Sequence, residues 1–233
     1  MSGAVAGRLV TDEPAASLRL LFPPEPHETP VLPRWNGNLW LLEDGTRPPI
    51  RTLTVLDADA ESESFAVEVV LHGESPLCRW VSSVEPGCVA AVSGPARGTP
   101  VDTSAERYVL AGDESALPAM GTVLRKLCTI RPEARVDVVV SVRHSGCRVD
   151  LPHLPGAREH WLAEERSPLD GALVDAVREI VGEGEAAREN VWVWAAGEAS
   201  VMQRIRRLLF EELGMPRSSA AVRGYWKAGR AEE

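Results

Sequence analysis

Hydrophobic and polar positions divide the chain into two parts with different periodicities. In the first part, short apolar segments alternate with turn residues, a pattern typical of antiparallel strands. Apolar residues occupy every second position from Phe65 to Leu71, as expected for a strand with one buried face. The segment Arg51–Leu56 has similar strand character, and we predict that it pairs with Ser64–His72.

Shorter segments complete this first part. Asn38–Leu42 and Cys88–Val92 are predicted strands, Leu77–Val84 is a predicted helix or turn, and a glycine-rich turn follows at Ser93–Gly98. Short strands that are separated by turns at regular intervals favour a small β-barrel.

Beyond the polar linker Thr99–Ala105 the pattern changes, because strands now alternate with helices. The predicted strands are Tyr108–Ala111, Arg135–Val142 and Asn190–Ala196, and the predicted helices are Leu117–Leu127, Leu169–Val181 and Ser200–Leu213. The valine-rich second strand is typical of a parallel sheet that is covered on both faces. We therefore expect an antiparallel β-barrel domain over residues 1–104 and a parallel α/β domain over residues 105–233.

Composition narrows the functional classes. Of the 233 residues, 44% are hydrophobic and 25% charged, and no apolar run approaches the ~20 residues that a membrane-spanning helix needs. The N-terminus lacks the basic start and continuous apolar stretch of a secretory signal, so we expect a cytoplasmic protein. A net charge of −9 opposes binding to nucleic acid, which depends on a basic surface.

The four cysteines do not suggest a metal centre. Cys78, Cys88, Cys128 and Cys147 are far apart in the sequence, and none has a histidine or a second cysteine at the spacing of a zinc or iron–sulfur site. We therefore predict four structural thiols and no bound metal.

Two acidic turns with the same design are the most informative local feature. Each follows a predicted strand and precedes a helix: Gly112, Asp113, Glu114 and Ser115 form the first, and Gly197 and Glu198 begin the second. At the carboxyl ends of parallel strands, glycine and free helix N–H groups favour contact with a dinucleotide. Neither turn carries a dinucleotide fingerprint, so ordinary helix-capping turns are the alternative.

The residues also carry a family resemblance. The motifs Y-V-L-A-G-D-E-S-A-L-P-A-M-G (Tyr108–Gly121), V-W-V-W-A-A-G-E-A-S (Val191–Ser200) and G-Y-W-K-A-G (Gly224–Gly229) together resemble the siderophore-interacting proteins. In the first part, L-R-L-L-F-P (Leu18–Pro23) and V-L-H-G (Val70–Gly73) resemble barrel strands of the same family. The resemblance covers nearly the whole chain.

The resemblance implies a flavin-type barrel that binds FAD, an α/β domain that binds NADH or NADPH, and a ferric siderophore as substrate. Electrons would pass from the nicotinamide nucleotide through FAD to Fe(III), so that iron leaves as Fe(II). Oxygen-rich chelators hold the divalent ion less tightly, so the resemblance requires neither a catalytic acid or base nor a metal ligand from the protein.

The flavin motif of the family, R-x-Y-T, corresponds here to Arg51-Thr52-Leu53-Thr54. Arg51 and Thr54 match, and the resemblance assigns them to the pyrophosphate and to the neighbourhood of the reactive flavin nitrogen. Leu53 replaces the tyrosine that stacks on the ring, and we expect this change to weaken FAD binding by ~1–3 kcal/mol.

Further cofactor contacts are implied around the V-L-H-G strand. The resemblance assigns His72 and Gly73 to the flavin, although His72 can equally satisfy a hydrogen bond at the strand end. Pro76, Leu77 and Trp80 lie in the turn that the family places near the FAD phosphates, where backbone amides matter more than side chains.

The C-terminal motif is implied to lie beside the flavin and the mouth of the substrate site. Tyr225 and Trp226 are candidates to pack against a ring, and Trp226 and Lys227 to contact an anionic chelate. The alternative is that both aromatic residues anchor the tail on the core.

Two further expectations concern assembly and function. Only about seventeen residues precede the L-L-F-P strand, fewer than in the family, so we expect an incomplete barrel whose open edge a second copy of the chain can cover. Two other functions remain open: a flavin-less, cyclase-like member that binds or rearranges an organic substrate, and a non-catalytic siderophore-binding module.

Overall fold

The chain folds into two compact units, Met1–Gly98 and Thr99–Glu232. The computed structural model describes residue 1 and residues 6–25, 27–71, 75–96, 98–163, 171–182 and 190–229.

Antiparallel strands form the first unit. Their bounds are Ser17–Leu21 (β1), Arg34–Trp35 (β2), Trp40–Leu41 (β3), Ile50–Asp59 (β4), Ser64–Val67 (β5) and Ala91–Ala96 (β6). Four of them form a sheet in the order β5-β4-β1-β6, and β2 and β3 form a separate hairpin. The antiparallel fold expected for this part of the chain is therefore confirmed.

The core of this unit lies on one face of β1 and β4 and is covered by a helix, Pro76–Ser83 (α1). Leu18 and Leu20 of β1 are fully buried, and Phe22 packs on Trp80 of α1 with 5.5 Å between ring centroids. The hydroxyl of Ser75 accepts a hydrogen bond from the amide of Cys78, which caps the helix. Each fully buried apolar side chain contributes about 2 kcal/mol.

The second unit is a five-stranded parallel sheet with helices. Its strands are Arg107–Asp113 (β7), Arg135–Val142 (β8), Ala157–Ala163 (β9), Val191–Glu198 (β10) and Ala220–Trp226 (β11). Their order is β11-β10-β7-β8-β9, and all four pairings are parallel. The predicted parallel α/β fold is confirmed.

Among the described residues, three α-helices connect these strands: Leu117–Ile130 (α2), Ala172–Gly182 (α3) and Ala199–Arg207 (α4). The helix α4 continues as a π-helical segment over Leu208–Glu212. Every residue of β10 is buried, which is the expected burial of a central strand covered by helices on both faces. No helix among the described ranges is long and apolar enough to cross a membrane.

Several predicted element bounds were wrong. The strand predicted at Ser64–His72 ends at Val67, because pairing with β4 stops there, and Leu71 is 58% exposed. The strand predicted at Cys88–Val92 begins only at Ala91 and continues to Ala96, within the segment predicted as a glycine-rich turn. In the second unit, β9 and β11 were not predicted as strands.

Candidate functional site

The carboxyl ends of β7 and β10 lie side by side in the sheet. From β7 the chain adds β8 and β9 on one side, and it then returns to add β10 and β11 on the other. The strand order therefore reverses between β7 and β10, the position at which ligands bind in open α/β sheets. Both acidic turns identified in the sequence lie at this edge.

Asp113, at the end of β7, is buried and accepts four hydrogen bonds. Its Oδ1 accepts from the amide and the hydroxyl of Ser115. Its Oδ2 accepts from the amide of Glu198 and from the indole Nε1 of Trp226, both at 2.8 Å. Burial raises the pKa of Asp113 above its ordinary value, although these hydrogen bonds oppose the shift. One carboxylate thus connects the ends of β7, β10 and β11.

Glu198, at the end of β10, has a similar arrangement. Its Oε2 caps α4 by accepting from the amide and hydroxyl of Ser200 and from the amide of Val201 at 3.0 Å. Its Oε1 accepts from the amide of Ala228 at 3.1 Å. Burial alone raises the pKa of Glu198, but the hydrogen bonds outweigh this effect and lower it below the ordinary value.

The two glycines allow the turns to approach each other closely. A Cβ on Gly112 would overlap the carbonyl oxygen of Ala196, and a Cβ on Gly197 would lie 2.5 Å from the Asp113 Oδ2 atom. Gly197 also has φ +151°, which favours glycine. Protein atoms therefore fill the space beside both glycines, as the helix-capping alternative requires.

Glu114 holds the segment that follows β8. Its side chain accepts a hydrogen bond from the Arg143 amide at 2.9 Å and forms an ion pair with the Arg143 guanidinium at 3.2 Å. The thiol of Cys147 lies 3.3 Å from His144 Nε2, and desolvation together with Glu114 raises the pKa of this thiol. Neither Arg143 nor His144 was predicted to lie at this edge.

The C-terminal tail, Gly224–Gly229, runs along the same edge. The register of β11 shifts by one residue after the pair Gly197–Gly224, so that Trp226 rather than Tyr225 is opposite Glu198. Trp226 is half-buried, whereas Tyr225 is 38% exposed and Lys227 is exposed. Trp226 therefore anchors the tail on the core, which is the alternative given above for the two aromatic residues.

In the first unit, the flavin-motif residues lie on β4. Arg51 and Leu53 are half-buried and face the same side of the sheet as their buried β1 partners, Leu20 and Leu18. Leu53 packs against the core, and Thr54 is buried with 8% of its surface exposed. Both Thr54 and Arg51 are thus fixed by pairing with β1.

The remaining candidates of this unit are divided between α1 and undescribed segments. Leu77 and Trp80 are buried in the core, and Pro76 occupies the first turn of α1. The side chains of Leu77 and Trp80 therefore face the protein, whereas Pro76 is exposed. His72 and Gly73 lie outside the described residues.

The donor set on β4 and α1 fits the phosphate-bearing part of a flavin cofactor. The guanidinium of Arg51 and the helix N-terminus beginning at Pro76 are groups that bind a pyrophosphate, and Thr54 supplies the hydroxyl that the family resemblance assigns to the neighbourhood of the reactive flavin nitrogen. Leu53 offers an apolar contact to a ring but no aromatic face.

Family models match both units. A model described as siderophore-interacting protein matches residues 105–229, and one described as siderophore-interacting FAD-binding domain matches residues 1–99. The chain belongs to the siderophore-interacting protein family. The family resemblance of its motifs is therefore confirmed.

Curated relatives support this assignment to the siderophore-interacting proteins. The chain is 30% identical to an NADPH-dependent ferric-chelate reductase of Escherichia coli, across 90% of this chain and 78% of that protein. It is 25% identical to the ferric vibriobactin reductase ViuB of Vibrio cholerae, across 95% of this chain and 80% of that protein.

Solved structures of siderophore-interacting proteins share the fold. A siderophore utilization protein from T. fusca aligns with a TM-score of 0.74 at 28% identity, covering 98% of this chain and 85% of that one. The siderophore-interacting protein SipS from Aeromonas hydrophila aligns with a TM-score of 0.70 at 23% identity, covering 97% and 88%.

Proposed function

We propose that this protein reduces ferric siderophores with electrons from NADH or NADPH that pass through FAD. The observation that carries the proposal is the exposed pair Tyr225 and Lys227 at the carboxyl end of β11, on either side of Trp226, whose indole is anchored on Asp113. The two curated reductases named above support the same class of reaction. Because NAD(P)H is the donor, we propose a cytoplasmic location.

FAD, when bound, accepts a hydride from NAD(P)H and passes electrons on singly, which matches the one-electron reduction of Fe(III). We propose that Arg51 and Thr54 hold this cofactor, with Leu53 against the ring. The further contacts proposed from the family resemblance are His72, Gly73, Pro76, Leu77 and Trp80.

We assign the nicotinamide nucleotide to the carboxyl edge of the parallel sheet. Asp113, Glu198, Gly112 and Gly197 shape this edge from within, and Glu114 fixes Arg143 beside it. The exposed Lys227 attracts an anionic chelate, and Tyr225 offers an aromatic face to its ligand groups. Reduction weakens the bond between iron and oxygen-rich ligands, and the metal then leaves.

One observation favours a second candidate function. Leu53 packs against the core and supplies no aromatic face, which is the change expected in a family member that no longer depends on flavin. Such a protein would bind or rearrange an organic substrate.

A spectroscopic titration separates the two functions. Wild-type protein and the Leu53→Tyr variant are titrated with FAD, and the visible flavin bands are followed with circular dichroism as a check on folding. The reductase function predicts saturable band shifts in both proteins, with tighter binding in the variant by about 5- to 150-fold, because a stacking contact is worth ~1–3 kcal/mol.

Loaded protein is then mixed anaerobically with NADPH or NADH and a ferric siderophore, and Fe(II) is trapped with a coloured chelator. Nucleotide-dependent formation of Fe(II) is the expected result. A folded wild-type protein that does not bind FAD at saturating concentrations contradicts the proposal and favours the second candidate.

A further inference from the structure

Asp113 and Glu198, here called the carboxylate pair, have almost no hydrogen-bonding capacity left for a ligand. A carboxylate offers about four acceptor positions. Asp113 uses four for Ser115, Glu198 and Trp226, and Glu198 uses four for Ser200, Val201 and Ala228. Their partners belong to the protein, so the carboxylate pair is built to hold protein segments together.

The segments that they hold surround one exposed cation. Trp226 is bound to Asp113 and Ala228 to Glu198, and Lys227 lies between these two anchored residues. Its backbone is therefore fixed on both sides, while its side chain is exposed.

The bulge in β11 completes this arrangement. Since neighbouring residues of a strand point to opposite faces, the one-residue shift at Tyr225 decides which aromatic side chain faces Asp113. Gly224 contributes as well, because a Cβ there would lie 3.2 Å from Ala199 at the start of α4. The tail is thus seated by close packing in addition to its hydrogen bonds.

We propose that the carboxylate pair positions Lys227 to bind an anionic ferric chelate. Asp113 and Glu198 are then positioning residues that act through the tail, and a nucleotide is not their ligand. The inference rests on the proposed function for its choice of substrate.

Two variants each remove one anchor. Trp226→Phe keeps an aromatic ring but loses the indole N–H that binds Asp113. In Glu198→Gln, the single amide oxygen is expected to stay with the three donors at the start of α4, so the amide nitrogen faces Ala228 and that bond is lost. Trp161→Phe is a matched control, because the Trp161 indole binds the exposed carboxylate of Glu159 on β9 at the same 2.8 Å.

The first measurement is hydrogen exchange of the peptide 220–229 by mass spectrometry. Both anchor variants are expected to exchange about tenfold faster in this peptide, since a hydrogen bond to a charged acceptor is lost. Trp161→Phe is expected to leave the exchange of this peptide unchanged. Unchanged exchange in both anchor variants would overturn the proposal.

The second measurement is equilibrium dialysis of an anionic ferric tris-catecholate chelate, whose colour reports its concentration. Each anchor variant is expected to raise the Kd several-fold, towards the value of Lys227→Gln, and to add no further loss when combined with Lys227→Gln. Losses that simply add, an unchanged Kd in both anchor variants, or a wild-type protein that does not bind the chelate would each refute the positioning role.

These experiments distinguish a failure of chelate binding from a failure of Fe(III) reduction. Wild-type protein that binds the chelate but forms no Fe(II) with NADPH or NADH contradicts the proposed reductase function, while the dialysis still decides the role of the carboxylate pair. A lower affinity for NADPH in Trp226→Phe, with an unchanged Kd for the chelate, would overturn the inference and return these residues to the nucleotide.

Discussion

Gly112→Ala is expected to destabilise the second unit, and the structure allows the loss of unfolding free energy to be estimated. The added methyl group would overlap the Ala196 carbonyl oxygen and lie 2.6 Å from the Ala116 Cβ and 2.9 Å from the Met120 Cε. Met120 can rotate, but the carbonyl and the short Ala116 side chain cannot retreat without moving β10 or the start of α2. The cost therefore lies at or above the usual ~1–3 kcal/mol of an overpacked core.

Part of this cost is offset because alanine has less conformational entropy than glycine in the unfolded state. This difference stabilises the folded state by ~0.4–1 kcal/mol. The net loss is about 2 kcal/mol. With a urea dependence of ~2 kcal/mol per molar, the midpoint of unfolding falls by about 1 M.

The assay is urea unfolding, with hydrogen exchange of peptides from β7 and α2 to report on this unit alone. Gly121→Ala, within α2, is the matched control, because the Arg125 Nη1 and Pro152 Cδ atoms nearest to its new methyl group lie 3.8 and 3.9 Å away. There the substitution is expected to raise the free energy of unfolding by ~0.5–1 kcal/mol. A Gly112→Ala variant that unfolds at the same urea concentration as Gly121→Ala would show that the close approach of Ala196 to Gly112 carries no energetic cost.

Three further outcomes are expected. Asp137→Asn leaves the largely buried guanidinium of Arg107 without the carboxylate that now lies 3.1 Å away, and urea unfolding should show a loss of about 3 kcal/mol. Because burial raises the pKa of Asp113 in the folded state, the stability of wild type relative to Asp113→Asn should fall as pH rises from the unfolded value of about 4 through the folded value; urea midpoints between acidic and neutral pH test this, and a rising difference contradicts it. Ser75→Ala removes the hydroxyl that accepts from Cys78, and a loss of ~1 kcal/mol by thermal unfolding is expected, against no loss if the cap is unimportant.

The strong periodicities of the sequence were sufficient to predict the central strands of the parallel sheet. The valine-rich run Arg135–Val142 and the run ending in Gly197 and Glu198 became β8 and β10 of one parallel sheet, on either side of β7. The edge strands were missed because their patterns are weak. β9 contains Arg158, Glu159 and His160 in succession, and β11 contains a glycine and a bulge.

The sequence also identified the acidic turns but not the direction of their side chains. Asp113 meets Trp226 across 113 positions and Glu198 across 85, and a single sequence contains no signal for such distant pairs. Local spacing could only indicate that the turns precede helices. Whether their carboxylates face a ligand or the protein depended on the register of β11.

The sequence also indicates that Asp137 needs a charged partner, and this partner was not predicted. A carboxylate inside a run of valines is almost never buried without a partner. In the structure, Arg107, Arg158 and His160 all surround it. The charges that begin β7 and lie on β9 could have been matched to it once the strand order was known.

The two outer strands of the parallel sheet also bear on how the protein behaves at high concentration. An exposed strand edge is a template on which another chain can add a strand, and charges or bulges on that edge prevent this. Arg158 and Glu159 are exposed on β9, and the bulge at Tyr225 interrupts the regular spacing of β11. Both borders of the sheet therefore resist strand addition, so crowding should not extend this unit into fibres or strand-swapped assemblies.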